Sequence, residues 1–230
     1  MKRALLLSIL SLMVAGVAFA GTQDGAVVAL HDQSHGKAVN VCSDGSIPAD
    51  PTSNGIDCFS YSTDNAPTGI NRDVYLVVAL ADPAFGIAGL SCGISYNPAA
   101  VAGVDVFAWI LCSDLEFPNA GPNGSWPASG GGNRITWAAG PNCQNADLNG
   151  EGVHAVAGAF YIYAYSDDQM CVTGNLNLVV PEFKVADCNA SESDVLFGGG
   201  CVGYGQAGYN PCDDTPVERT SWGAIKGNLK

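Results

Sequence analysis

The sequence predicts an all-β protein folded as an antiparallel β-sandwich, of jelly-roll type or a close variant, and stabilised by disulfides. Apolar and polar residues alternate with a period of two in most segments, and no amphipathic helical segment separates them. Glycine and proline account for 29 and 12 of the 230 residues, and they mark turns between those segments. Nine cysteines predict a covalent framework.

Eight segments have the alternation expected of strands. They are residues 26–31, 73–80, 89–96, 104–111, 133–138, 153–165, 170–180 and 183–186. Turn signals such as Asp82-Pro83, Asn97-Pro98 and Asn149-Gly150 lie between them. Short strands separated by such turn signals are typical of a β-sandwich. The glycine-rich run 198–208 predicts a loop.

The first 20 residues have the features of a cleavable signal peptide. Lys2 and Arg3 precede an apolar run that ends at Ala18-Phe19-Ala20, where small residues flank a cleavage site. We therefore expect a secreted protein, extracellular or on the cell surface. No other segment has the roughly 20 apolar residues that a transmembrane helix needs.

We expect one sandwich domain over residues 21–214. An N-terminal disulfide-looped segment, 21–70, joins the sandwich core, 71–214. Residues 215–230 form a C-terminal tail, which could dock on the domain, be disordered, or carry a sorting or anchoring signal.

The charge excludes one class of partner. The chain has 9 basic and 22 acidic residues, a net charge of -13. Without Lys2 and Arg3 of the leader, 7 basic residues remain and the net charge is -15. Such a chain repels phosphate backbones, so nucleic acid is not expected as a partner.

The cysteines predict disulfides rather than a metal site, because no Cys-x-x-Cys pair occurs. Spacing favours a Cys42–Cys58 bond and a Cys112–Cys143 bond, each closing a polar loop. Cys188 is expected to fasten the C-terminal segment by bonding either Cys212 or Cys201.

An odd number of cysteines leaves at least one without a partner in the chain. Cys92 and Cys171 lie inside predicted strands, where a buried thiol is as plausible as a disulfide. An unpaired cysteine could also bond another chain, which would make the protein self-associate.

Aromatic residues give the strongest indication of a binding surface. Strand alternation places Tyr161, Tyr163 and Tyr165 on one face of a strand, about 6.6 Å apart. Such a row could stack on sugar rings. Alternatively, the N-terminal segment or a neighbouring strand covers it. Trp126, in a predicted loop, is a second candidate for ligand binding, or it caps the end of the sandwich.

Calcium is the metal that the sequence favours most. Asn145, Asp147 and Asn149, followed by a glycine, reproduce the early positions of a calcium-binding loop. Val156 stands at the twelfth position, where such a loop needs a bidentate glutamate. A polar hairpin loop is the alternative interpretation.

No catalytic motif has the context that its chemistry requires. Gly89-Leu90-Ser91-Cys92-Gly93 matches a nucleophile elbow, but a strand follows it instead of a helix. His31 and His35 have the spacing of a metal pair only on a helix, and the segment is a predicted strand. His154 has no nucleophile or carboxylate beside it in sequence. We therefore expect no enzyme.

Several sequence segments resemble those of known secreted proteins. The segment 73–80, then 86–97 with its Gly-Ile and Tyr-Asn ends, then 133–137 and 153–165 resemble cohesin modules and related carbohydrate-binding modules. Residues 221–226, Ser-Trp-Gly-Ala-Ile-Lys, resemble the end of uncharacterised secreted proteins of uncultured bacteria.

The resemblance to cohesin and carbohydrate-binding modules implies a non-catalytic sandwich that binds an extracellular partner. The function we expect is therefore a secreted binding module for a polysaccharide or an extracellular protein. A structural component of an envelope or extracellular matrix is the alternative, and a secreted hydrolase is a third, less favoured interpretation.

Overall fold

The computed structural model describes residues 21–37, 40–43, 55–138, 140–148 and 150–213 of the chain. In these ranges the regular elements are strands, apart from one short 3-10 helix, Cys58–Ser60. The strands are β1 Val27–Ser34, β2 Asn71–Ala81, β3 Gly89–Ser95, β4 Val104–Leu111, β5 Leu115–Gly121, β6 Gly124–Ser125, β7 Gly132–Thr136, β8 Val153–Ala164, β9 Asp168–Thr173, β10 Lys184–Ala186, β11 Glu192–Asp194 and β12 Cys201–Tyr204. The predicted signal peptide, residues 1–20, and the predicted C-terminal tail, residues 215–230, lie outside these ranges. No helix in the described ranges is long and apolar enough to cross a membrane.

The strands form two antiparallel sheets, which confirms the predicted fold class. The first sheet has the order β1-β2-β8-β4. The second has the order β11-β10-β3-β7-β5-β6, and it is extended by β9, which pairs with both β3 and β12. Long pairings dominate the first sheet, where β2 follows β8 from Asn71 to Ala81 through two register shifts.

The main core lies between the two sheets, because alternate residues of each strand point inward. Val74, Leu76 and Val78 of β2 are fully buried there, opposite Leu90 and Ile94 of β3. A second, smaller core lies on the outer side of the first sheet. It contains the remaining apolar residues of the central strands, among them Tyr75, Val77 and Val156.

A buried ion pair joins the sheets at one end of the main core. Arg72 of β2 donates to Asp32 of β1, with its Nε 2.9 and 3.1 Å from the two carboxylate oxygens. Tyr204, on β12 of the second sheet, donates to the same carboxylate at 3.3 Å. These partners supply the hydrogen bonds that a charge needs when it is removed from water.

The strand boundaries differ from prediction in two informative places. The segment predicted as a strand to residue 180 ends at Thr173, since Gly174 and Asn175 begin a loop. The glycine-rich run predicted as a loop contains β12. A side chain at Gly203 would collide with the backbone of Gln206 and Ala207, so glycine lets the chain pack on itself here.

The cysteine pairing is different from the expected one. The bonds are Cys42–Cys112, Cys58–Cys212, Cys143–Cys188 and Cys171–Cys201. The expected pairs Cys42–Cys58 and Cys112–Cys143 are wrong, and Cys188 bonds Cys143 instead of Cys212 or Cys201. The fold brings together cysteines that are 70, 154 and 45 residues apart. The number of residues between two cysteines indicates only whether a bond could close the loop between them, and not which distant cysteine the fold brings near.

Cys92 is the free cysteine among the described residues, and it is fully buried in the main core. Burial raises the pKa of its thiol, because the thiolate would lose its hydration. The proposed bond from an unpaired cysteine to another chain therefore has no accessible thiol at this position.

One segment lies against the outer side of the first sheet and covers the second core. This covering segment, residues 55–63, contains the 3-10 helix and is bonded to the C-terminal region through Cys58–Cys212. Asn210 donates to the Cys58 carbonyl at 2.9 Å. Tyr61 is 5% exposed and packs into the second core.

Two histidines of the sheet hold Tyr61 and its neighbour from beneath. The Nδ1 atom of His31 accepts from the Ser62 amide at 3.0 Å, and the Nδ1 atom of His154 lies 3.1 Å from the Tyr61 hydroxyl. Burial lowers the pKa of His31 to about 4, with Lys37 and Arg72 adding to the effect. Burial also lowers the pKa of His154 to about 4, although Asp57 and Asp147 oppose it.

The neutral histidines make stability depend on pH. Their pKa is about 4 in the folded protein and close to the ordinary 6.5 in the unfolded chain, so the unfolded chain binds more protons between these values. We expect the free energy of unfolding to fall as the pH drops from 6.5 towards 4, by up to about 3 kcal/mol per histidine. Thermal unfolding followed between pH 7 and pH 4.5 measures this change.

A double His31→Gln, His154→Gln variant is expected to lose most of that pH dependence. His35→Gln is the control for the loss of an exposed imidazole, because the His35 side chain is half exposed, and the double variant should lose more of the slope than this control does. An unchanged slope in the double variant would contradict the assignment.

The disulfides predict a defined pattern of thiol reactivity in the oxidised protein. Cys92 should resist a maleimide reagent in the native state and react after denaturation without reductant, since only unfolding exposes it. Mass spectrometry of the unreduced digest should recover the four bonds described above. Rapid labelling of Cys92 in the native protein, or recovery of a Cys42–Cys58 peptide, would overturn this connectivity.

Candidate functional site

The outer side of the first sheet is divided into a covered half and an open half. The covering segment lies over Tyr75, Val77 and Val156. Further along the same strands, β8 continues to Tyr161 and Tyr163, which are partly exposed. This continuation is the surface that the tyrosine row predicted, and it is the candidate site.

The three predicted tyrosines lie together on the open half. Tyr161 and Tyr163 alternate with Phe160, Ile162 and Ala164, which are buried in the main core. Tyr165 follows the end of β8 and is 38% exposed. Its ring tilts onto that of Tyr163 with 4.6 Å between centroids, so these two rings form a pair instead of evenly spaced steps.

Two further aromatic side chains complete the surface, and sequence reasoning did not assign them to it. His35 follows β1, and its ring lies 4.4 Å from that of Tyr161. Phe107 of β4 is 54% exposed, and its ring lies 5.7 Å from Tyr161 on the other side. We define the aromatic face as Tyr161, Tyr163, Tyr165, His35 and Phe107.

Phe107 reaches this face because β4 is irregular beside β8. The pairing shifts register between Val106 and Ala108, which leaves Phe107 as an extra residue. No sequence signal indicated that bulge. His35 was detectable in principle, because it has the same parity as His31 on β1.

Polar side chains border the aromatic face. The register sets Asn71 and Asp105 on either side of Tyr163, and sets Asp73 beside Tyr161. Asp73 is nearly buried, and it accepts from the Gly36 amide at 3.1 Å and contacts His35 Nδ1 at 2.9 Å. Asp73 thereby holds the imidazole against Tyr161, while Asn71 and Asp105 remain available to hydrogen-bond a ligand.

Trp126 does not belong to this surface, which corrects its assignment as a ligand-binding residue. It is 8% exposed and lies in the main core. Its ring packs edge-on against Trp109 at 5.0 Å and near Phe160 at 5.3 Å. The reason is that residues 124–125 form β6, which brings the following tryptophan over the interior.

Asp147, the second of the three residues proposed for calcium, is bonded within a turn. Asp147 Oδ1 accepts from the amides of Gly150 and Gly152 at 3.1 and 2.9 Å. One of its carboxylate oxygens therefore caps the turn, as in the hairpin alternative. Asn149 lies outside the described residues. Within the described ranges, which include Asn145, no three His, Cys, Asp or Glu side chains form a metal-binding group.

The residues that resemble catalytic motifs in the sequence take part in strand pairing or in packing. Ser91 lies in the middle of β3, paired with β7 and β10, so it is not on a strand-to-helix turn. His154 is buried beneath Tyr61 rather than in a cleft, and its Nε2 lies 3.8 Å from Glu151. Glu151 itself accepts from the Cys58 amide at 3.2 Å. This histidine stabilises the covering segment.

Comparison with protein-family models gives no match, and comparison with curated proteins gives none. Two solved structures are similar. One is a cohesin module from a Clostridium perfringens family 33 glycoside hydrolase, with a TM-score of 0.42 and 9% identity over 62% of this chain and 91% of that chain. The other is a CaDoc0917–CaCohA2 complex, with a TM-score of 0.40 and 12% identity over 77% and 99%. Both are too distant in structure to bear on function, and the sandwich architecture is established by the chain's own strand topology.

Proposed function

We propose that this protein is a secreted, non-catalytic binding module whose aromatic face binds neutral polysaccharides. The observation that carries the proposal is that five aromatic rings, from β8 and the residue after it, β4 and the turn after β1, lie side by side on the open half of the first sheet. Aromatic rings exposed on a monomer mark interaction sites more often than isolated apolar residues do.

Sugar rings suit this surface because they have apolar C–H faces and polar edges. The tyrosines and Phe107 offer flat apolar area, and tyrosine hydroxyls add polar contacts at their edges. Asn71 and Asp105 border the rings and can bond sugar hydroxyls. The rings are held in place by rigid strands, which lowers the entropic cost of binding.

The negative charge of the protein restricts the class of polysaccharide that it would bind. The chain without its leader has a net charge of -15, and Asp105 lies on the border of the aromatic face. Polymers of uronic acids or sulfated sugars would be repelled. Neutral glucans, xylans or mannans are therefore the proposed ligands.

The position of the aromatic face also supports a non-catalytic role. The nearest titratable pair, His35 and Asp73, is committed to holding the imidazole against Tyr161, and Asp73 is nearly buried. A glycosidase needs two carboxyl groups facing each other across a cleft. The aromatic face is instead an open sheet surface.

The test is binding of the oxidised protein, without its leader, to insoluble cellulose, xylan and mannan, followed by depletion from solution. Tyr161→Ala and Tyr163→Ala are each expected to weaken binding about tenfold, because each removes one stacking ring. Phe117→Ala is the matched control, since Phe117 is an exposed aromatic residue on the second sheet.

Equal loss with the Phe117 variant would show that binding is not localised to the aromatic face. Failure of the wild-type protein to bind any neutral polymer would reject the carbohydrate proposal. An extracellular protein would then become the leading partner.

A further inference from the structure

A cleft of about 320 Å³ lies beside the aromatic face, between the edge strand β4 of the first sheet and two loops of the second. One wall is residues 105–107 of β4. The other wall is formed by the loops after β3 and after β6, through Tyr96, Pro98, Ala128 and Ser129. Phe107 belongs both to the aromatic face and to the cleft, so the two adjoin.

The two loops of the second sheet are bonded to each other. Ser129 Oγ accepts from the Tyr96 amide at 3.0 Å and donates to the Tyr96 carbonyl at 2.6 Å. The Tyr96 hydroxyl donates to the Pro127 carbonyl at 3.2 Å, and the Gly130 amide donates to the Ile94 carbonyl at 2.8 Å. This wall of the cleft is therefore formed before any ligand arrives.

A carboxylate holds the two walls to each other. Oδ2 of Asp168, at the start of β9, accepts from the Asn97 amide and from the Val104 amide, each at 3.0 Å. It thereby connects the loop after β3 with the start of β4. A preformed cleft of this kind loses little conformational entropy when it binds a ligand.

The lining combines carbon surface with hydrogen-bonding groups. Pro98, Val106 and Ala128 supply apolar surface, and Asp105 supplies a carboxylate. Burial raises the pKa of the Tyr96 hydroxyl, and the nearby Asp105 carboxylate adds to the effect, so this phenol stays protonated. Because β4 is an edge strand, its main-chain amide and carbonyl groups also lie beside the cleft. A sugar ring, with apolar C–H faces and hydroxyls that donate and accept, matches such a lining.

We propose that this cleft is a subsite for a neutral sugar side group, so that the protein prefers branched neutral polysaccharides to unbranched ones with the same backbone. The inference rests on the proposed function, because the polymer backbone would lie on the aromatic face. It narrows the ligand class to neutral backbones that carry single-sugar branches.

The strand register places the cleft within reach of such a branch. Asp105 pairs with Tyr163 across β4 and β8, so their main chains lie about 4.8 Å apart. Phe107 lies on the outermost strand of the first sheet and is 54% exposed. A backbone sugar stacked on Phe107 would therefore carry its side group over the edge of β4, where the cleft lies.

The size and charge of the cleft limit the branch. Pockets that bind small molecules have volumes of about 300 to 1,000 Å³, so this cleft, near the lower limit, has room for one sugar and not for a second polymer chain. Asp105 would repel a uronic acid or a sulfated sugar at this position. The side group is therefore a single neutral sugar.

The test is isothermal titration calorimetry of the oxidised protein, without its leader, with pairs of oligosaccharides that share a backbone. The pairs are mannopentaose with and without galactosyl side groups, xylopentaose with and without arabinosyl side groups, and cellotetraose with and without xylosyl side groups. For the backbone that binds, we expect the branched member to bind about tenfold more tightly.

Ala128→Leu should remove this preference, because the larger side chain occupies the cleft. Ala128 is exposed, so circular dichroism should show an intact fold. Asp105→Ala should also lower the ratio between the two affinities, since it removes the carboxylate from the lining.

Ala84→Leu is the matched control, because Ala84 is an exposed alanine in the turn between β2 and β3, and it should keep the preference. Tyr163→Ala should weaken the binding of both members, since it removes a ring of the aromatic face. Equal affinity of the wild-type protein for both members, or an unchanged preference in Ala128→Leu, would overturn this inference and leave the proposed function standing. Binding of neither member of any pair would reject the proposed function, and this inference with it.

Discussion

The disulfide between Cys58 and Cys212 is the constraint on which the layout of the surface depends. It joins residues 154 positions apart and fixes the covering segment to the outer side of the first sheet. Without this cover, Tyr75, Val77 and Val156 would face water, and burying such side chains contributes about 1.5 to 3 kcal/mol each. The bond therefore decides which half of the sheet is a core and which half is a surface.

The covered half and the open half of the first sheet share the same strands, but their aromatic side chains have different surroundings. On the covered half, aromatic and imidazole rings are buried, and Tyr61 contacts His154 at hydrogen-bond distance. On the open half, His35 packs on Tyr161 in the presence of solvent. Strands β2 and β8 run through both halves, so the packing of the covered half also holds the strands of the open half. The main core supports it from beneath, through Phe160 and Ile162.

An irregular edge strand also shapes the aromatic face. β4 forms one edge of the first sheet, and a bulge between Val106 and Ala108 interrupts its pairing with β8. The same strand contributes Phe107 to the aromatic face through its bulge.

The sequence by itself determined the sandwich class, the span of β4 and the shared face of Tyr161 and Tyr163, because period-two alternation is a local property of a strand. Only the tertiary structure decided the disulfide partners, the burial of Trp126 and the place of Phe107. Each of these depends on contacts between segments far apart in the chain. A single bulge redirects a side chain, and a strand pairing brings distant cysteines within bonding distance. Neither the bulge nor the strand pairing can be recognised from the residues adjacent in the sequence.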